Sequence, residues 1–200
     1  PWHVETPAAR YGVFGIGAEF AADRNHAMSL IDNAEFFYSR DQHTMECLSA
    51  KPSPAAHAGV GADVAFCRLL DSRPSHGNRI LFVWRDPDEL KRFPNFSAYI
   101  GRTASKQAWR GILATFGAVA ERSFTTTASD PAEIFADVDF VVSARYHGIV
   151  GALQAGLPCL AIDVCPKIRV IMQHAGLEHF CLKVGDIDRL ASAMTQLLDQ

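Results

Sequence analysis

Residues 139–155 contain a short apolar run followed at once by a helix-like run, with two basic side chains between them. Asp139-Phe-Val-Val-Ser143 is short, apolar and rich in β-branched residues, which is typical of a strand buried on both faces of a parallel sheet. The small and apolar residues 149–155 predict a helix. Arg145 and His147 therefore lie where ligands bind in open α/β sheets, because helix N-termini at the carboxyl ends of strands attract anions.

A second strand–helix unit follows directly. Gly156 suits the left-handed cap that ends a helix, and Cys159-Leu-Ala-Ile-Asp163 predicts another buried strand. Pro166 suits the first turn of a further helix, which carries Lys167. Cationic groups thus follow two successive strands, which predicts an anion-binding site at one edge of the sheet. The alternative interpretation of Arg145 and His147 is that they form a capping and surface pair.

Apolar runs and helix-like segments alternate along the rest of the chain, which predicts an α/β protein with parallel sheets in Rossmann-like units. Besides the two strands above, strands are predicted at residues 11–17, 35–39, 60–66, 79–84, 123–127 and 179–183. Helices are predicted at residues 26–33, 41–49, 106–120, 146–155, 166–175 and 187–199, with a short one beginning at Asp130-Pro131. Residues 71–78 are rich in turn formers and predict a linker, and residues 91–105 predict an irregular, substrate-facing loop.

The composition is that of an ordinary globular protein. The chain has 200 residues, 48% of them hydrophobic, which is enough to bury a core as one domain or two small ones. Its net charge of −3 provides no basic field, so nucleic acid is not expected as a partner. No apolar run approaches the roughly 18 residues of a membrane span, and no signal-peptide pattern opens the sequence.

The five cysteines are odd in number and lack CxxC spacing. This pattern favours buried, reduced thiols over disulfides or a zinc site. Reduced thiols indicate a cytoplasmic protein. The sequence also lacks HxH, HExxH and carboxylate-cluster motifs, so no metal site is expected.

Residues 143–167 carry a more specific pattern. An Arg–aromatic–His triplet at residues 145–147 is followed by a helix of small residues, a Gly-Leu-Pro turn, a strand, and Pro-Lys at residues 166–167. This stretch resembles the signature of the polysaccharide pyruvyl transferase family, in which the middle residue of the triplet is aromatic or aliphatic. Two other segments resemble less specific elements of the same family. They are Arg40-Asp41, which follows an apolar strand, and Gly61-Ala-Asp-Val-Ala-Phe66.

The resemblance implies two Rossmann-like domains in the arrangement of GT-B glycosyltransferases, with the active site between them. Residues 1–70 would form the C-terminal part of the first domain, which is expected to be incomplete at its N-terminus. Residues 71–78 would be the linker. Residues 79–200 would form the second domain, which carries the Arg-Tyr-His motif.

The resemblance also implies an activity. Family members transfer a pyruvyl group from phosphoenolpyruvate to two hydroxyls of a sugar in a polysaccharide or its precursor, which leaves a pyruvate ketal and releases phosphate. A glycan or lipid-linked oligosaccharide acceptor would connect the protein to exopolysaccharide and cell-envelope biosynthesis, at the inner face of the membrane. Phosphoenolpyruvate is then a donor substrate, and no cofactor is expected.

The donor carries a carboxylate and a phosphate, so its pocket needs fixed cations. The resemblance assigns this role to Arg145 and Lys167, with Tyr146 and Gly148 beside them and backbone N–H groups near Gly148 on the phosphate. His147 is expected to act as the acid or base, because histidine can hold or release a proton near neutral pH.

Further basic residues are secondary candidates. Arg40 would supply a third cation from the first domain, and its alternative is a salt bridge to Asp41 or a neighbouring acid. Arg85 follows a predicted strand and is a candidate for contact with the donor or acceptor. A structural ion pair between Lys167 and the nearby Asp163 is an equally good expectation.

The sequence is also compatible with two other functions. One is a GT-B glycosyltransferase that uses a nucleotide sugar, which would place the same cations on a diphosphate but also requires a carboxylate and an aromatic platform for the nucleoside. The other is a sugar- or anion-binding domain without turnover.

Overall fold

In a computed structural model, the protein is described at residues 12–16, 31, 34–48, 57–61, 77–85, 103–122 and 131–199. The chain divides into two compact units, Pro1–Cys67 and Arg68–Gln200. Each unit contains a parallel sheet, so the predicted α/β class with parallel sheets is confirmed. The domain limits given above stay a prediction, because residues 71–76 of the expected linker lie outside the described residues.

The first unit has a sheet of three described strands in the order β1-β2-β3. These are β1 (Gly12–Ile16), β2 (Phe36–Ser39) and β3 (His57–Val60), and helix α1 (Gln42–Leu48) follows β2. Phe37 is buried in the central strand, and Leu48 is buried at the end of α1. The predicted strand at residues 60–66 is displaced toward the N-terminus, with residues 62–66 outside the described part.

The second unit has five described strands, all parallel, in the order β5-β4-β6-β7-β8. Their limits are Arg79–Val83 for β4, Ala118–Glu121 for β5, Phe140–Ser143 for β6, Cys159–Asp163 for β7 and Cys181–Lys183 for β8. All five residues of β7 are buried, as expected for a strand covered on both faces.

Five α-helices are described in this unit. They are α2 (Thr103–Leu113), α3 (Pro131–Phe135), α4 (Tyr146–Gln154), α5 (Pro166–His174) and α6 (Leu190–Leu198). Gly156 adopts φ +64° after α4, and Pro166 lies in the first turn of α5, so both predicted helix boundaries are confirmed. None of the helices in the described ranges is both long and apolar enough to cross a bilayer.

The strand order places a topological switch point in this sheet. Counted from β4, the described strands run in the order 2-1-3-4-5, and the direction of winding reverses between β4 and β6. In open parallel sheets, ligands bind at the carboxyl ends of the strands beside such a reversal. The ends of β4 and β6 are therefore the expected place for a site in the second unit.

Large side chains fix the helices around this sheet. Phe82 in β4, Phe135 in α3 and Trp109 in α2 are fully buried. The indole N–H of Trp109 donates to the carbonyl oxygen of Val184 at 3.2 Å, which satisfies the ring's polar atom in the interior. Trp109 therefore ties α2 to the loop that follows β8.

The predicted helix at residues 106–120 is wrong in its second half. The helix ends at Leu113, and residues 118–121 form strand β5. A Cβ atom on Gly117 would lie 1.8 Å from the carbonyl oxygen of Asn78, so a glycine is needed where the chain turns beside the start of β4. The local sequence does not reveal this long-range contact, and its apolar residues predict that the helix continues. The strand predicted at residues 123–127 lies outside the described residues.

Candidate functional site

The basic residues of the second unit follow the strand ends at the switch point. Val83 at the end of β4 pairs with Ser143 at the end of β6, and the N–H of Ala144 donates to the Val83 carbonyl at 2.8 Å. Arg85 and Arg145 each follow these paired positions by two residues, and both are half-buried. The two arginines therefore leave neighbouring strands at the same edge of the sheet.

The hydroxyl of Ser143 fixes the turn that carries Arg145. Ser143 is fully buried, and its Oγ accepts a hydrogen bond from the N–H of Arg145 at 3.0 Å and donates one to the carbonyl of Arg145 at 2.9 Å. Arg145 has an extended backbone and caps α4 at its N-terminus. The serine therefore sets the direction in which the chain leaves the sheet.

The first turn of α4 differs from the expectation that its N–H groups near Gly148 hold phosphate. The N–H groups of Gly148 and Ile149 both point to the carbonyl oxygen of Arg145, at 3.1 and 3.3 Å. Gly148 is buried, and a Cβ atom there would lie 2.2 Å from Oγ of Ser143. Gly148 is thus needed for close packing of the helix on the strand end, because a side chain would displace the serine.

Replacing Gly148 by alanine should destabilise the protein by about 1–3 kcal/mol, the usual effect of overpacking. Gly111→Ala is a matched control, because nothing lies within 4 Å of a Cβ atom at that exposed position of α2. The control should be neutral or stabilising by up to about 1 kcal/mol. Urea unfolding measures both, and an unchanged midpoint for Gly148→Ala would contradict the packing described here.

Tyr146, His147 and Lys167 come together at the first turns of α4 and α5. The ammonium nitrogen of Lys167 lies 5.6 Å from the centroid of the Tyr146 ring. The His147 ring packs edge-on against the same tyrosine, with 5.4 Å between the centroids. His147 is exposed and Lys167 is half-buried, whereas Tyr146 is buried. An exposed imidazole and an ammonium group therefore share one aromatic neighbour.

Asp163 at the end of β7 pairs with Arg169 rather than with Lys167, which was the expected partner. The Asp163 carboxylate accepts hydrogen bonds from Nε of Arg169 at 2.9 Å and from a terminal nitrogen of the same guanidinium. Asp163 is buried, so the arginine compensates its charge in the interior.

In the first unit, Arg40 forms the salt bridge to Asp41 that the sequence left as the alternative. Nε of Arg40 lies 3.0 Å from Oδ2 of Asp41, and the Arg40 side chain is only 10% exposed. Asp41 also caps α1, where its other oxygen accepts the N–H of Thr44 at 2.7 Å. A role for Arg40 in donor binding stays a prediction.

The pKa of Asp41 reflects this network. Burial alone would raise it, but hydrogen bonds from Thr44 and the guanidinium of Arg40 hold the pKa of the carboxyl below its ordinary value. A carboxyl whose pKa is lower in the folded state stabilises the fold above its unfolded pKa of about 4, and this contribution is lost as the pH falls through the folded value.

We expect Asp41→Asn to loosen α1 at pH 7, because the amide can still cap the helix but carries no charge. Hydrogen exchange over residues 42–48 should be faster in the variant at pH 7, after correction for the pH dependence of intrinsic exchange. The difference from the parent should shrink below about pH 4, where the parent carboxyl itself is protonated. A difference that grows on acidification would show that the charge of Asp41 does not stabilise the helix.

The thiols of Cys159 and Cys181 favour the protonated form. Burial raises the pKa of Cys159 to about 12, and burial together with the charge of Asp163 raises the pKa of Cys181 to about 12. Among the described cysteines, Cys159 and Cys165 are buried and Cys181 is half-buried, and none of the three is in a disulfide. Over the described ranges, no three His, Cys, Asp or Glu side chains cluster as metal ligands do.

Two residues of this region escaped the sequence reasoning. Ser143 could have been suspected, because a serine at a strand end often bonds to the backbone two residues on. Glu121 at the end of β5 is the kind of carboxylate that a nucleotide-sugar enzyme needs for ribose, but it pairs with Lys106 at 2.7 Å and Arg110 at 3.1 Å. These partners come from α2, so the pairing depends on a fold that local patterns do not reveal.

Comparison with known proteins identifies the family. The family model for polysaccharide pyruvyl transferase matches residues 7–166, which include Arg40, Arg85, Arg145 and His147 and end one residue before Lys167. A search of curated proteins gave no match. The matched region covers most of the chain and contains the whole turn built around Ser143. The chain therefore belongs to the polysaccharide pyruvyl transferase family.

Proposed function

We propose that this protein transfers the pyruvyl group of phosphoenolpyruvate to two hydroxyls of one sugar in a polysaccharide or its precursor, forming a cyclic ketal and releasing phosphate. One observation carries the proposal. In a chain of this family, Arg145, His147 and Lys167 lie on the first turns of two neighbouring helices, beside the switch point of a parallel sheet. That is the place where such sheets bind anionic ligands.

The charges fit a donor with two anionic groups. The guanidinium of Arg145 suits two-pronged contact with a carboxylate or a phosphate, and the ammonium of Lys167 acts as a compact point charge. Arg85, which leaves the adjacent strand, is a further candidate for contact with either substrate. Arg40 of the first unit is kept as a further candidate for donor contact, and its guanidinium is bound to Asp41 in the structure.

The reaction requires two additions to the enol carbon. A sugar hydroxyl bonds to that carbon while the methylene takes up a proton and becomes a methyl group. A second hydroxyl of the same sugar then bonds to the carbon as the bond to the phosphate oxygen breaks. One hydroxyl proton is balanced by the proton that the methylene gains, and the other leaves with the phosphate. His147 is proposed to donate the methylene proton, and the cations to stabilise the departing phosphate.

The setting of the reaction follows from the same proposal. A glycan or lipid-linked oligosaccharide as acceptor would place the protein in exopolysaccharide and cell-envelope biosynthesis, in the cytoplasm and at the inner face of the membrane. Phosphoenolpyruvate enters as a substrate, so no cofactor is included. The nucleotide-sugar alternative is weaker, because the chain belongs to the polysaccharide pyruvyl transferase family.

Calorimetric titration tests the donor. Phosphoenolpyruvate should bind to the purified chain and a panel of nucleotide sugars should not, and binding should weaken at high salt because it depends on charge. Inorganic phosphate should compete with phosphoenolpyruvate, since it shares one of the two anionic groups. Tight binding of a nucleotide sugar, with no response to phosphoenolpyruvate, would favour the glycosyltransferase and contradict the proposal.

A further inference from the structure

Tyr146 is the buried member of the basic segment. Only 7% of it is exposed, whereas its neighbour Arg145 is half-buried and its neighbour His147 is exposed. A ring with so little accessible surface can make little direct contact with a substrate. The structure therefore does not favour the expected role of Tyr146 as a substrate-binding residue.

The contacts of the tyrosine ring lie within the protein. The ammonium nitrogen of Lys167 is 5.6 Å from the ring centroid, which is inside the range of about 6 Å for a cation–π interaction. The imidazole of His147 meets the ring in a T-shaped contact, with 5.4 Å between the centroids. Tyr146 and His147 belong to α4, and Lys167 belongs to α5. One buried ring thus contacts a cation and an imidazole from two helices.

The acidic residue nearest to Lys167 in the sequence is bound by another cation. Asp163 precedes Lys167 by four residues, but its carboxylate is bound by the guanidinium of Arg169. The long and flexible side chain of a lysine adopts many positions unless a contact selects one. Here the Tyr146 ring lies beside the ammonium group at the strand edge.

We propose that Tyr146 is a positioning residue, which holds the ammonium of Lys167 next to His147 at the carboxyl edge of the sheet. Its consequence for catalysis rests on the proposed function, since Lys167 would bind the donor and His147 would move the proton. The aromatic ring is the feature that matters, so Tyr146→Phe should preserve the arrangement. Tyr146→Leu keeps an apolar side chain in the buried position but removes the ring.

The position of Lys167 can be measured without any substrate. Reductive methylation with ¹³C-formaldehyde labels lysines and keeps their charge. The chain has five lysines, and the signal of Lys167 is identified as the one that is missing from the spectrum of Lys167→Gln. In the parent protein and in Tyr146→Phe, ring currents should shift this signal upfield from those of the other lysines. In Tyr146→Leu the shift should disappear. An unchanged Lys167 signal in Tyr146→Leu would overturn the proposal.

Donor binding by the unmodified protein gives the second readout. Tyr146→Leu should weaken phosphoenolpyruvate binding about 3- to 10-fold, as expected for loss of a partly desolvated cation–π contact, and Tyr146→Phe should not. In a Lys167→Gln background, Tyr146→Leu should have no further effect, because the two residues act as one unit. Wild-type affinity in Tyr146→Leu, or additive effects of the two changes, would contradict the proposal.

The two readouts separate this inference from the proposed function. If phosphoenolpyruvate does not bind to the parent protein, the proposed function fails, and the labelled-lysine spectra alone decide whether Tyr146 positions Lys167. Thermal unfolding checks that each variant is folded. If Tyr146→Leu does not fold, Tyr146→Met replaces it, because methionine is also apolar, unbranched and without a ring.

Discussion

His147→Gln should lower the rate of pyruvyl transfer by about 100- to 10,000-fold, the usual effect of removing a general acid or base. Glutamine is similar in size and polarity but does not exchange a proton near neutral pH. His147 is exposed, so the substitution leaves the core intact, and thermal unfolding should be nearly unchanged. The rate is measured as phosphate release from phosphoenolpyruvate in the presence of an acceptor glycan.

His174→Gln is the matched control for this experiment. His174 is also exposed and lies in the last turn of α5, at the opposite end of the helix from the first turn that carries Lys167. Its replacement should leave the rate unchanged. Near-normal transfer by both His147→Gln and His147→Ala would remove His147 from the mechanism.

Arg145→Ala should weaken phosphoenolpyruvate binding about ten-fold or more, because a charge-assisted contact to an anion typically contributes roughly 1.5–3 kcal/mol. Arg145→Lys should recover only part of this loss, since an ammonium group cannot reproduce the planar fork of a guanidinium. Lys167→Ala should also weaken binding, although its point charge makes no two-pronged contact. Calorimetric titration of the variants measures these differences.

Arg189→Ala is the control for the loss of one positive charge. The Arg189 side chain is 63% exposed and pairs with Asp186 at 3.7 Å beyond β8, so its removal should not affect donor binding. If Arg145→Ala and Arg189→Ala bind phosphoenolpyruvate equally well, Arg145 does not contact the donor.

Local patterns were sufficient for the part of the fold that carries the site. The apolar run before Ser143 and the proline at residue 166 predicted β6, α4, β7 and α5 within one residue of their limits. The elements β6, α4 and β7 are short and mostly buried, and α5 has a proline in its first turn, so hydrophobicity and chain-breaking residues determine these elements directly. The limits of these elements locate the ends of the strands, and therefore the edge of the sheet where Arg145 and Lys167 lie.

The same patterns could not predict what depends on distant packing. The end of α2 follows from the contact of Gly117 with Asn78, and the role of Gly148 follows from its contact with Ser143. The ion pair between Asp163 and Lys167, one of the alternatives for these residues, is absent because the Asp163 carboxylate is bound by the guanidinium of Arg169. In each case the deciding distance is between residues that the fold brings together.

In the proposed mechanism, the cations at the carboxyl ends of the strands bind phosphoenolpyruvate for transfer to a sugar. A mixture of protein, phosphoenolpyruvate and glycan, followed by ³¹P and ¹H nuclear magnetic resonance, tests this mechanism. We expect inorganic phosphate to appear in equal amount with the methyl signal of a pyruvate ketal on the glycan. Phosphate that accumulates with free pyruvate and no ketal, or consumption of a nucleotide sugar while phosphoenolpyruvate stays intact, would contradict it.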